Sequence, residues 1–192
     1  MKYNKKLKLI LVIIIYFFLI FRISKVMISE IYYLRAEKIE KTESWVKAIP
    51  LYEKALTFDP GRAELYEKLA KLYFLRVLFP HDKNQISRME KILIKGIYVC
   101  PNNAALHMQI GLFYEAIGKE KKALSYYNKA ILLDPNNGFY HATLAAFYIK
   151  NNIKDKGIKE AKKAVMCSNL KIILNFFKKI GINIKKTDLL KN

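Results

Sequence analysis

The sequence predicts an all-α chain of stacked helix pairs, and three observations carry that prediction. Its 192 residues include only seven Gly and five Pro, so few points interrupt a helix. Helical stretches end at LTFDP (Pro60), IYVCP (Pro101) and ILLDP (Pro135), with Asn169 in the corresponding place after VMCS. These stops are 41, 34 and 34 residues apart, a period typical of helical repeats. Small residues recur in register with them. A hydrophobic content of 53% supplies the apolar surface that disordered chains lack.

The first element is basic and then apolar. Lys2, Lys5, Lys6 and Lys8 precede an unbroken apolar run from Leu9 to Phe21, and Ile23, Val26, Met27 and Ile28 follow around Arg22 and Lys25. The run alone spans about 20 Å as a helix, short of a hydrocarbon core of about 30 Å. Residues 7–28 reach across it if the stems of Arg22 and Lys25 snorkel. A single-pass membrane anchor is expected there. A cleaved leader needs small residues before the cut, but Ser29 would put Met27 at −3 and Ser24 would put Arg22 there. Lys2, Lys5, Lys6, Lys8 and the terminal amine face Arg22, Lys25 and Arg35 across the run, which places the amino terminus in the cytoplasm and the body on the outer side. A cytoplasmic body stays open. No Gly or Pro occurs before Pro50, so the anchor is expected to continue unbroken into the next helix near Ser29.

The body that follows is self-similar. On the first helix of each pair a tight position reads Ala36, Ala70, Gly111, Ala145, and three residues later come Ile39, Tyr73, Tyr114, Tyr148. On the second helix the small positions read Ala48, Met89, Ala123, Gly157 and then Ala55, Gly96, Ala130, Ala164. Antiparallel helices approach closely only where small residues face each other and large neighbours fill the gaps. These residues resemble the tetratricopeptide repeat, a 34-residue helix–turn–helix unit. The stretch 104–137 carries the pattern most fully, with Ile110, Gly111, Tyr114, Gly118, Ala123, Tyr127, Ala130 and Pro135, and with His107 where the pattern has Trp. The resemblance implies a right-handed superhelix of about four units, at 29–62, 63–103, 104–137 and 138–171.

Two copies depart from the pattern. The second has seven extra residues between Val77 and Ser87, around Pro80 and His81-Asp82-Lys83-Asn84, and turn residues there predict a longer loop. In the first, Pro50 falls early in the second helix and is expected to bend it while the fold survives. Repeat stacks need an atypical end. Within the last segment, Leu170, Ile173, Leu174, Phe177 and Ile180 form a helical stripe. That predicts a capping helix to about Ile180 and a frayed tail, with 172–192 as the terminal segment.

The formal charge of +19 is unevenly spread: residues 1–28 hold +6 and residues 170–192 hold +5. Only five of the 35 basic residues are Arg, the residue best suited to phosphate and base recognition, which weighs against a nucleic-acid partner. No Gly-rich phosphate loop, CxxC, HExxH or GxSxG occurs. His81, His107 and His141 are read as a loop residue and two packed imidazoles, and Cys100 and Cys167 lie too far apart for a disulfide. No catalysis, cofactor or metal is expected.

The resemblance implies a concave groove lined by first helices. Its positions here are Glu30, Tyr33, Glu37 and Glu40; Glu64, Glu67, Lys71 and Phe74; Ala105, Met108, Leu112 and Glu115; and Phe139, Ala142, Ala146 and Ile149. Of these, Glu67, Lys71, Met108, Leu112, Glu115, Phe139, Ala142, Ala146 and Ile149 are the expected partner-binding residues. Only Lys71 fits the carboxylate clamp of chaperone-binding relatives. The groove is acidic near the anchor and apolar beyond it, which suits a basic-apolar peptide or helix of a protein partner, or the chain's own capping helix. The expected role is a non-enzymatic, membrane-anchored interaction scaffold in assembly of a cell-envelope complex. A homo-oligomerising structural subunit and an RNA-binding helical repeat are the alternatives.

Overall fold

In the computed structural model, residues 2–79 and 83–190 are described, and no strand occurs among them. Pro80, His81 and Asp82, at the centre of the expected loop, lie outside the described residues. The chain divides into two units, Met1–Leu72 and Tyr73–Asn192.

In the first unit, α1 (Lys2–Thr42) is one helix of 41 residues. Without Gly or Pro to stop it, it runs from the basic start through the apolar segment and on to a stretch packed against α2 (Trp45–Phe58). The transition falls at Ser29. From Lys6 to Ile28 the side chains are exposed, Phe17 at 71%; after them Ser29, Tyr33 and Ala36, spaced by four and three residues, form a buried stripe. The Ser29 hydroxyl donates to the Ala55 carbonyl at 3.0 Å, tying α1 to α2. By length and composition α1 is able to cross a membrane.

Ser44 caps α2, accepting from the Val46 amide. Pro50 lies inside α2, which continues through it. It sits beyond the first four residues, whose amides lack helical partners, so it deprives the Val46 carbonyl of its usual donor. Val46 is 42% exposed, which gives water access there. Most of α3 (Ala63–Val77) completes this unit.

The second unit continues with α4 (Lys83–Val99), α5 (Ala104–Ala116), α6 (Glu120–Leu133), α7 (Gly138–Lys150), α8 (Lys154–Cys167), α9 (Leu170–Lys179) and α10 (Lys186–Leu190). Asn103, Asn137 and Asn169 cap α5, α7 and α9 through their side chains. Gly118, at φ 72°, turns the chain between α5 and α6 in the left-handed region. Ala123 and Ala130 of α6 and Ala161 and Ala164 of α8 are fully buried, as close helix approach requires.

The seven extra residues do not simply lengthen a loop. α3 has 15 residues against 13 in α5 and α7, and α4 has 17 against 14 in α6 and α8. Five of the seven are therefore helical. Extending α3 buries Val77, one turn beyond Tyr73. The tail also departs from the expected frayed end. After Gly181, at φ 75°, the chain turns back and α10 inserts Leu189 into the cluster formed by Ala142, Ala146, Ala161, Ala164, Ile173 and Phe177.

Candidate functional site

The α5 and α7 helices are apolar on nearly every side. Each buries one face against its second helix, and α7 also packs against α9. Leu112, Glu115 and Ala116 of α5, Thr143, Ala146 and Lys150 of α7, and Phe176 and Ile180 at the end of α9 line an open cavity of about 380 Å³. Phe74 and Leu78 close one side. The walls are mostly apolar, and a charged pair sits among them, Lys150 to Glu115 at 3.4 Å.

Glu115 is fixed from within the helix pair. The buried Tyr127 donates its hydroxyl to the Glu115 carboxylate at 2.5 Å. Burial, then the neighbouring carboxylate, pushes the Tyr127 pKa far upward, so the phenol keeps its proton and remains a donor. The first unit has the same device at equivalent positions, Tyr52 donating to Glu40 at 2.7 Å. The other two copies carry Phe74 with Leu93 and Ile149 with Ala161 at these positions.

Glu90 of α4 accepts from Tyr114 at 2.8 Å and from Lys119 and Lys122 at 2.9 Å. Burial raises its pKa, but the three donors outweigh that and hold it at about 2.

His107 and His141 are structural donors, at a position that Tyr66 also occupies. Tyr66 donates to the Pro60 carbonyl, and His107 and His141 donate through Nε2 to the carbonyls of Pro101 and Pro135, each at 2.9 Å. One repeat position, Tyr or His, thus holds the turns preceding α3, α5 and α7. The other His141 nitrogen, Nδ1, faces Glu160 at 2.7 Å. Among the described residues no group of His, Cys, Asp and Glu is arranged to hold a metal ion.

Residues 104–137 match the family model of the tetratricopeptide repeat (TPR). This stretch is a TPR unit. It is similar in structure to TTC0263, a thermophilic TPR protein in Thermus thermophilus, at 20% identity and a TM-score of 0.67 over 80% of this chain and 82% of that one. A crystal structure of MamA is similar at 21% identity and a TM-score of 0.62, over 75% and 80%. MamA 41-end from Desulfovibrio magneticus RS-1 follows at 17% and 0.61, over 72% and 75%. At these identities the likeness is one of fold. No curated protein matches the chain. TPR proteins are generally non-enzymatic, and the fold points to a role in protein–protein interaction or scaffolding.

Of the expected groove residues, Leu112, Glu115 and Ala146 meet at the cavity. Met108 is 4% exposed and Ala142 is fully buried, so neither offers a partner appreciable surface. Ala142 lies beneath α9, in the cluster with Ile173 and Phe177. Phe139 is half exposed, and its ring meets that of Phe176 edge-on at 6.3 Å. Ile149 packs against Gly157 of α8 rather than lining the cavity. The chain's own capping helix therefore fills part of the expected groove and walls the remainder. In the first unit Glu67 is half-buried and Lys71 exposed.

The acidic end is largely neutralised inside the first unit. Arg62 bonds Glu30 at 2.6 Å and Glu64 at 2.8 Å, Tyr33 donates to Glu64 at 2.5 Å, and Lys68 lies 3.6 Å from Glu40. Sequence reading missed Thr143 and Lys150, which lie three residues before and four after Ala146 on the same helix face. It also missed Phe176, one turn before the apolar Ile180.

Proposed function

We propose that this protein is a membrane-anchored, non-enzymatic scaffold that holds an apolar peptide or helix of another protein in the cavity between α5, α7 and α9. The single observation that supports this reading is the cavity itself, apolar in its walls and carrying a fixed Glu115–Lys150 pair. Apolar side chains one helical turn apart suit the walls formed by Leu112, Ala116 and Ile180, and a basic or amide group on the partner suits Glu115. α1 serves as the anchor, with Lys2, Lys5, Lys6 and Lys8 on the cytoplasmic side and the repeats on the outer side, where the scaffold assists assembly of an envelope complex.

Affinity capture of the full chain from native membranes tests it, run beside a Leu112→Asp plus Ile180→Lys variant whose helicity is verified by circular dichroism. Loss of the captured partner from the variant is expected. An unchanged partner set would remove the cavity from the account.

A further inference from the structure

The lysines of the second unit are segregated. α4, α6 and α8 together hold 12 Lys and Arg against four Asp and Glu, whereas α5 and α7 hold one of each sign. Eleven of the 12 are Lys. The same second helices each expose one large apolar residue at the same repeat position, two residues after the second small residue: Tyr98 at 88%, Leu132 at 73% and Met166 at 84% exposure. At about 100° per residue they lie about 200° round the helix from the buried Gly96, Ala130 and Ala164. Their side chains thus point away from the packed interior. Lys95, Lys129 and Lys163 stand three residues earlier, on the adjacent turn; Lys95 and Lys129 are exposed, and Lys163 is shared with Glu160.

We infer that the outer face of α4, α6 and α8 is a docking surface for an anionic lipid bilayer, with Tyr98, Leu132 and Met166 entering the interface and the lysines meeting the headgroups. Exposed apolar side chains set among lysines, with Ile94 at 51% exposure one turn before Tyr98, are the composition of an interfacial surface, binding through buried apolar area and attraction to anionic lipid together. The acids cancel only part of this charge: Glu90 takes Lys119 and Lys122, Glu160 takes Lys163, and Glu115 takes Lys150 of α7. Nucleic acid fits less well. Lys gives no bidentate recognition, and Leu132 and Met166 give bases no ring on which to stack. The inference needs no particular occupant in the cavity and stands apart from α1.

Cys167 is exposed next to Met166 and serves as the reporter. The full chain, carrying Cys100→Ser, is labelled there with a polarity-sensitive fluorophore and placed in bilayer discs of phosphatidylcholine alone or mixed with phosphatidylserine. A blue shift and a several-fold rise in emission are expected only with phosphatidylserine. High salt should reverse both, and Tyr98→Ser plus Leu132→Ser should abolish them. Equal emission in the two discs, an unaltered response in the double variant, a response in detergent without lipid, or one elicited by single-stranded RNA would each overturn the inference. Retention in phosphatidylcholine discs reports α1 alone, so failure of the anchor is distinguishable from failure of this face.

Discussion

Gly111 of α5 lies against the ring of Tyr127 on α6, so close that a β-carbon at position 111 would penetrate the ring's van der Waals envelope. This approach sets the distance between the two helices. It also sends the Tyr127 hydroxyl past Gly111 to Glu115, four residues further along α5, at the edge of the cavity.

Gly111→Ala is therefore expected to destabilise the protein by about 1–3 kcal/mol through overpacking, read from the denaturant midpoint. Gly61→Ala, whose nearest neighbour is an Asp59 oxygen at 3.8 Å, is the control and should stay within about 0.5 kcal/mol. Equal effects would mean that the Gly111–Tyr127 approach does not set the pair's spacing.

Tyr127→Phe removes the donor and leaves the ring in place. A double-mutant cycle with Glu115→Ala should give a coupling of about 1.5–3 kcal/mol, the range for a hydrogen bond to a charged acceptor. Zero coupling would count against a fixed carboxylate in the cavity.

Glu90 makes stability depend on acid. Its pKa is about 2 in the folded chain against an ordinary value of 4.5, so between those values the unfolded state binds more protons. Its contribution is complete above about 4.5 and is lost as pH falls toward about 2. Glu90→Gln should lower stability at neutral pH and flatten the acid limb of urea-denaturation midpoints plotted against pH.

His107 acts in a higher window. Burial lowers its pKa beneath the ordinary 6.5, more than the Pro101 carbonyl raises it, and Lys129 lowers it further. Protonation thus favours the unfolded chain, and stability present above 6.5 is lost as pH falls below it. His107→Tyr, which copies the Tyr66–Pro60 bond, should keep the fold and reduce this slope. Retention of the full slope would assign it to another group.

The repeat was legible in the sequence because its physics is local and periodic. Ala36, Ala55, Gly111, Ala130 and Ala164 announce close helix contacts by size alone, and each is buried. The uninterrupted α1 was legible from the lack of any helix breaker before Pro50. What the repeat register cannot carry is which chain segment covers a face. Ala142 occupies a groove position by register yet lies beneath α9, and Leu189 returns to that cluster through a turn at Gly181. The expected acidity likewise counted Glu30 and Glu64 without the Arg62 that both of them bond. The helical share of the insertion was hidden because Pro80 and Asp82 signal a turn but not how far α3 and α4 extend toward it.

In the proposed function, the cavity between α5, α7 and α9 holds a segment of another protein. Photo-crosslinking in native membranes, with a benzophenone amino acid at position 112 on the cavity wall or at position 125 on the exposed side of α6, tests it most directly. A discrete heterologous adduct is expected from position 112, absent from position 125 and abolished by Ile180→Lys. Adducts of equal yield from both positions, or none from position 112, would contradict it.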